Sequence, residues 1–207
     1  MSKQAKAARS FWLKQLHTWH WVSSAICLVG MLLFAITGIT LNHAGAIEAD
    51  PVVSERAATL PPPLLATLNA TTDAKAVVPP VVRDWIAAEL SVDLGGKPGE
   101  WSEDEVYVGL PRPGGDAWLS IDRGSGAVAY ELTSRGWISY LNDLHKGRNA
   151  GEAWRWFIDV FAVACLAFCL TGLILLQLHA RHRPMTWPTV GLGLVVPVLI
   201  AVLFIHL

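Results

Sequence analysis

Charged side chains are scarce in this chain: Asp, Glu, Lys and Arg make up 16% of its 207 residues, whereas a typical soluble domain has about 25%. The deficit lies in three apolar stretches, residues 21–41, 157–178 and 187–207, which together carry one charged side chain, Asp159. A helix of about 20 apolar residues crosses a hydrocarbon layer of about 30 Å. This composition excludes a wholly soluble globular fold and predicts three transmembrane helices.

Cysteine is also scarce, and Cys27, Cys165 and Cys169 all lie inside the apolar stretches. The polar segment between the first two stretches therefore has no disulfide to form, and we interpret the cysteines as small packing residues. The chain lacks Gly-x-Ser-x-Gly and His-Glu-x-x-His motifs, and the Gly-x-Gly of residues 191–193 follows no strand. We expect no dinucleotide site and no nucleic-acid partner. If the protein transfers electrons, its donor must therefore be quinol or a separate reductase.

Acidic residues are missing from two segments that are rich in Lys and Arg. The first 20 residues carry four basic side chains, and residues 179–185 carry Arg181 and Arg183. The positive-inside rule places both segments in the cytoplasm, and the long polar segment and the C-terminus outside. Cleavage of the first stretch as a signal peptide is the alternative, but its apolar run exceeds the roughly 7–15 residues of a signal-peptide core.

These observations predict an α-helical membrane protein with a small α+β domain between its first and second spans. The predicted organisation is a basic lead (1–20), a transmembrane helix (21–42), an extracytoplasmic domain with a re-entry helix (43–153), a transmembrane helix (154–178), a cytoplasmic loop (179–185) and a transmembrane helix (186–207). Within the domain, residues 48–60 are expected to be irregular. Turn residues and periodicity predict helices at 81–90 and 135–148 and antiparallel strands at 105–110, 117–122 and 127–132.

Histidine is absent from residues 44–144, and all seven histidines lie at the edges of the apolar stretches: His17, His20, His43, His145, His179, His182 and His206. Histidine is the commonest side-chain ligand for transition metals and also binds haem iron. The predicted orientation gathers four of them at the cytoplasmic face. The other three, His43, His145 and His206, lie at the outer face.

A short repeat joins the first two spans. Residues 34–39 read Phe-Ala-Ile-Thr-Gly-Ile, and residues 168–173 read Phe-Cys-Leu-Thr-Gly-Leu. Because the spans run in opposite directions, the exit of one lies at the membrane face where the other enters. Histidines on facing helices can supply the two axial imidazoles of a six-coordinate haem. The repeat thus predicts one or two haem b groups, the outer one on His43 and His145 and the inner one on His17 and His179. By contrast, His20, His182 and His206 are interpreted as interfacial groups.

Several charged residues border these histidines. Asp159 is the only carboxylate in a span and is therefore a functional candidate, with an ion pair to Arg155 as the alternative. Lys146, Arg148 and Arg155 are candidates for holding haem propionates. Asp143 and Asn42 are candidate hydrogen-bond partners of the neighbouring histidines.

The chain resembles the PepSY-associated transmembrane family in its small three-span form. The resemblance rests on Leu16-His17, on the Thr-Gly-Ile-Thr-Leu-Asn-His of residues 37–43, on the Asp-Leu-His-Lys-Gly-Arg of residues 143–148, on Trp156, Ile158-Asp159 and Thr171-Gly172, and on a PepSY-like strand-turn-strand at 119–130. It implies a protein of the bacterial inner membrane, related to haem-binding reductases that act on ferric siderophores. His17, His43 and His145 match family motifs, whereas His179 is supported by the repeat alone.

We therefore expect a b-type haem protein that transfers electrons towards the periplasm, to ferric iron or a ferric siderophore. Its partners are expected to be the lipid bilayer, a ferric siderophore or a periplasmic iron-uptake protein, and a second copy of the chain if one copy cannot enclose the haem. Two alternatives remain. One is a non-enzymatic membrane protein whose PepSY-like domain binds or regulates a periplasmic partner. The other is a metal-uptake accessory that uses His43, His145 and His206.

Overall fold

The computed structural model describes residues 3–47 and 50–205. Its helices are α1 (Lys3–Asn42), α2 (Pro62–Asn69), α3 (Pro80–Leu90), α4 (Gly136–Lys146), α5 (Gly151–His179) and α6 (Thr186–Ile200), and a single π-turn (Ala201–Ile205) extends α6. The strands are β1 (Val52–Thr59), β2 (Glu100–Trp101), β3 (Glu105–Gly109), β4 (Gly115–Asp122) and β5 (Ala127–Ser134).

Three helical segments are long and apolar enough to cross a membrane, namely Lys3–Asn42, Gly151–His182 and Thr186–Ile205. They contain the three predicted apolar stretches. The first is longer than its apolar stretch because the basic lead, predicted as a separate segment, continues the helix back to Lys3. Ala, Lys, Gln and Leu dominate that lead, and all four have high helix propensity.

The chain divides into two compact units. One contains Met1–Leu33 and Phe157–Leu207, and the other contains Phe34–Trp156. The second unit is built on a five-stranded antiparallel sheet in the order β1-β5-β4-β3-β2. Inward-facing residues alternate along β3 and β4 as the two-residue period of a strand requires. They pack with Val82, Ile86 and Leu90 of α3 to form the core of this unit.

The predicted strands at 105–110, 117–122 and 127–132 and the predicted helices at 81–90 and 135–148 are present within a few residues. The expectation of an irregular segment at 48–60 is wrong for the described residues, because β1 pairs with β5 from Val52 to Thr59. As an edge strand, β1 exposes nearly all its side chains and so shows no apolar alternation. Helix α2 was also missed. Its Pro62 occupies the first turn, where the absent N–H costs no hydrogen bond.

Helix α4 packs closely against the loop between β3 and β4. The buried carboxylate of Asp143 accepts a hydrogen bond of 2.8 Å from the backbone N–H of Gly114. Gly114 has a φ of +70°, and a Cβ there would lie 2.6 Å from Cα of Tyr140. Glycine is therefore required both for the turn and for the approach of α4. This contact holds α4, and with it His145, in place.

Candidate functional site

Two of the predicted haem ligands, His17 on α1 and His179 at the end of α5, lie side by side. Their ring centroids are 6.2 Å apart, and their ring planes are perpendicular. Two imidazoles that bind one metal ion from opposite sides, through nitrogens at about 2 Å, have ring centroids roughly 6 Å apart. The spacing of this pair would therefore allow both rings to bind one metal ion.

The tautomer of both rings also fits. Nδ1 of His17 lies 2.8 Å from the carbonyl oxygen of Leu13, and Nδ1 of His179 lies 2.8 Å from that of Leu175. A carbonyl oxygen only accepts hydrogen bonds, so each Nδ1 carries the proton. In the neutral ring, Nε2 then keeps its lone pair. Backbone carbonyls orient metal-binding histidines in the same way.

His20, one turn after His17, is held by the second copy of the sequence repeat. Its Nδ1 lies 2.9 Å from the hydroxyl oxygen of Thr171, and its ring stacks on Phe168 with centroids 4.8 Å apart. The Thr171 hydroxyl lies 2.6 Å from the carbonyl oxygen of Ala167 and donates its proton there, so we assign the Nδ1 proton to His20. A Cβ at Gly172 would lie 3.3 Å from Cε1 of His20, and glycine thus leaves space for the ring.

His145 on α4 is held by the first copy of the repeat in the same way. Its Nδ1 lies 2.7 Å from the hydroxyl oxygen of Thr37, and the rings of His145 and Phe34 have centroids 4.8 Å apart. The Thr37 hydroxyl lies 3.2 Å from the carbonyl oxygen of Phe34. Gly38 also lies beside this ring. Each Phe-x-x-Thr-Gly sequence therefore holds one histidine of another helix through its Thr and its Phe.

Sequence reasoning placed His145 in the site but treated His20 as an interfacial group. The structure gives the two histidines equivalent partners. The signal that could have identified His20 is the repeat itself, because a Thr and a Phe one turn apart form a specific pocket for a partner ring. The sequence alone did not show which of the two inner histidines on α1 would face Thr171.

A concave groove of about 620 Å³ adjoins the inner histidines. His20 and His179 both line it, and most of its other lining residues are apolar side chains of α5, including Phe168, Leu173 and Leu176. Ligand pockets commonly measure about 300–1,000 Å³ and combine apolar walls with a few polar groups. The two imidazoles in this wall are those of His20 and His179, whereas His17 does not line the groove. An apolar wall with imidazoles suits a flat, apolar metal complex such as haem.

The predicted outer pair is arranged differently. His43 follows the end of α1, is exposed, and its Nδ1 lies 3.0 Å from the carbonyl oxygen of Ile39. Its Nε2 therefore also keeps a lone pair. Within the described residues no ring contact joins His43 to His145, whereas such a contact does join His17 to His179.

The other candidate residues named from the sequence are not part of these histidine pairs. Arg155 forms the single salt bridge found among residues 3–47 and 50–205, with Glu152 at 2.6 Å. The alternative for Asp159, an ion pair with Arg155, is therefore not formed among these residues. His182 lies in a short, exposed 3₁₀ turn. His206 lies outside the described residues. In the described part of the chain, no three His, Cys, Asp or Glu side chains gather into a metal site.

A family model described as "Putative PepSY_TM-like" matches residues 11–206, which is nearly the whole chain. No curated protein and no solved structure matches the chain significantly.

Proposed function

Because the chain belongs to the PepSY-associated transmembrane family, we propose that it is a b-type haem membrane protein that carries electrons outward to ferric iron or a ferric siderophore. The observation that supports this proposal most directly is the His17–His179 pair, whose perpendicular rings lie 6.2 Å apart. Haem held there would supply a one-electron ferric–ferrous couple. The family match supports the architecture, and the histidine geometry supports the cofactor.

The residues around the pair have definable tasks. The carbonyl oxygens of Leu13 and Leu175 accept hydrogen bonds from Nδ1 of His17 and of His179. Nε2 of each ring is then left as the atom that would bind the metal. The apolar wall of the groove, to which His179 contributes, would keep water from a bound haem and lower the local dielectric. His20, anchored by Thr171, lies in the same groove wall, and its Nε2 would serve either as a ligand or as a hydrogen-bond acceptor.

On the outer side, we propose that His43 and His145 hold a second haem, with His145 oriented by Thr37. The absence of a ring contact between these two histidines leaves a second copy of the chain as the source of a facing ligand, so a homodimer is part of this proposal. The protein would lie in a bacterial inner membrane with its N-terminus and residues 179–185 in the cytoplasm. Quinol or a separate reductase would donate the electrons.

Visible absorption spectra test the cofactor. We expect the full chain, expressed with haem supplied and purified in detergent, to show a Soret band that sharpens and shifts on reduction with dithionite. His17→Ala and His179→Ala should remove the same spectral component. His182→Ala, a matched change of an exposed histidine at the same face, should leave the spectrum intact.

Absence of a Soret band from the wild-type chain would overturn the proposal. Loss of different components in His17→Ala and His179→Ala would retain haem but contradict their pairing. On the outer side, His43→Ala and His145→Ala should likewise remove one shared component.

The exposed edge of β1 favours a second candidate, in which the sheet binds a protein partner. Val52 and Val53 are 68% and 51% exposed, and β1 has β5 on one side only. An edge strand with free backbone groups can accept an added strand. If this is its sole function, the purified chain carries no haem, and the spectra above distinguish the two candidates.

A further inference from the structure

A basic cavity lies at the end of α1 that adjoins α4. It measures about 240 Å³, and its wall contains the cations Arg135, Lys146 and Arg148 together with Asn142 and Asp143. None of the three cations forms a salt bridge within the described residues. Because Asp143 is the one carboxylate in the wall, the cavity keeps an excess of positive charge.

Asn142 provides an independent sign of a ligand. Its side chain is 7% exposed, and it lines both the basic cavity and an adjoining cavity of about 220 Å³. The side-chain amide interacts with the hydroxyl of Thr40 at 2.7 Å and with no other described group. Whichever way the amide is turned, at least one of its two N–H donors lacks an acceptor. The amide therefore offers at least one free N–H to a ligand in the cavity that Asn142 lines.

The position of the cavity indicates what that ligand is. Leu41, the last apolar residue of the first apolar stretch, and Ala44 form its apolar side. Trp137, which is 71% exposed, lines the adjoining cavity, and tryptophan is enriched at the level of lipid headgroups. A ligand here meets cations at one end and an apolar helix at the other.

We propose that this basic cavity binds the phosphate group of an anionic phospholipid. Arg135, Lys146 and Arg148 would contact the phosphate oxygens through charge-assisted hydrogen bonds, and the free N–H of Asn142 would donate to the same group. The acyl chains would run along the apolar surface of α1. This site does not depend on haem, so it stands apart from the function proposed above.

Native mass spectrometry of the full chain in detergent tests the site. Phosphatidylglycerol and phosphatidylcholine with the same acyl chains are the probes, and we expect tighter binding of phosphatidylglycerol. Replacing Arg135, Lys146 and Arg148 together by Gln should weaken phosphatidylglycerol binding about tenfold or more, since each surface cation contributes substantially to binding anionic lipid. Equal affinity of the wild-type chain for the two lipids would overturn the proposal.

A matched control removes the same charge elsewhere. Lys75, Lys97 and Arg112 lie in the same unit but line neither cavity, and their joint replacement by Gln should change affinity less than about twofold. An equal loss in both triple variants would mean general charge attraction and would contradict a built site.

Asn142→Leu tests the amide without adding a charge, because Leu has a similar size but can neither donate nor accept a hydrogen bond. We expect it to weaken phosphatidylglycerol binding at least about fivefold. The melting temperature of the variant serves as its folding control, and unchanged affinity in a folded variant would overturn the role of Asn142.

Two further measurements identify the oxyanion. If inorganic phosphate binds while the two lipids bind equally, the ligand is a soluble phosphate and the lipid assignment is wrong. If the triple Gln variant loses haem absorbance but keeps its preference for phosphatidylglycerol, the cations hold haem propionates and the proposal fails. If the triple Gln variant keeps its haem absorbance but loses its preference for phosphatidylglycerol, the result supports the lipid site.

Discussion

At the residue scale, the main finding is that the sequence Phe-x-x-Thr-Gly holds a histidine of another helix at two places in the chain. Thr37 and Thr171 each donate to a carbonyl of their own helix and accept from the Nδ1 of a histidine. The apolar context makes this arrangement significant, because Thr37 and Thr171 lie in apolar stretches, where little water is available as a hydrogen-bond partner. The repeat was visible in the sequence. The sequence did not show which histidine each copy would hold, because that depends on how the helices pack.

The Thr171–His20 bond should contribute measurable coupling. In a double-mutant cycle of Thr171→Val and His20→Ala, we expect a coupling free energy of about 0.6 and at most about 1.7 kcal/mol, the range found for side-chain hydrogen bonds between membrane helices. Unfolding of the full chain in mixed detergent measures it. Thr18→Val is the control, since the Thr18 hydroxyl donates only to Lys14 of its own helix. Zero coupling would show that the 2.9 Å contact is incidental.

At the scale of elements, the turn between β4 and β5 is held by hydrogen bonds between residues that are close in sequence. Asp122 ends β4, and its carboxylate accepts from the hydroxyl and the N–H of Ser125, each at 2.6 Å, and from the N–H of Gly124. These hydrogen bonds, the Ser125 hydroxyl first, lower the pKa of Asp122 below its ordinary value. Turn signals of this kind are readable from sequence, and the strands on both sides of this turn were predicted.

The lowered pKa of Asp122 fixes the direction of a pH effect. A carboxyl whose pKa is lower in the folded state stabilises the fold at pH values above its ordinary pKa of about 3.9. This contribution disappears as the pH falls through the pKa of the folded state. We expect Asp122→Asn to lower the unfolding midpoint of the full chain near neutral pH. The difference from wild type should shrink under acid conditions.

Ser125→Ala provides the matched test of the cause. It removes the interaction that lowers the pKa of Asp122 most. The unfolding midpoint of Ser125→Ala should therefore change less with pH under acid conditions than the midpoint of the wild type does. A wild-type midpoint that differs from that of Asp122→Asn by the same amount at every pH would contradict the explanation.

Sheet edges were the poorest part of the sequence prediction. Strand β1 exposes seven of its eight residues, so neither face carries an apolar pattern. Its existence follows from backbone pairing with β5 over eight positions. Local sequence does not record which neighbour offers free N–H and C=O groups. The same reason explains the missed β2, which has two residues.

At the scale of the whole molecule, the polar segment lies in sequence between the first and second of three apolar helices. The charges of the segments that flank these helices predict its side of the membrane. The basic residues before the first apolar stretch and in residues 179–185 indicate the cytoplasm. The direction of electron transfer proposed above depends on this orientation. It is a prediction from charge distribution alone.

Cysteine labelling in intact cells checks that orientation. In a background where Cys27, Cys165 and Cys169 are alanine, we expect Lys97→Cys to react with a membrane-impermeant maleimide. Arg181→Cys should react only after the cells are permeabilised. The reverse pattern would place the sheet in the cytoplasm and invert the proposed direction of electron transfer.

The sequence by itself determined the three apolar helices, the strands with alternating burial and the membrane-edge positions of the histidines, because hydropathy and turn chemistry act over a few neighbouring residues. Tertiary structure alone decided that Thr171 holds His20, that Thr37 holds His145 and that the amide of Asn142 borders a basic cavity. Those outcomes depend on the rotation of packed helices about their axes. One turn of a helix separates His17 from His20, and only the partner helix distinguishes them.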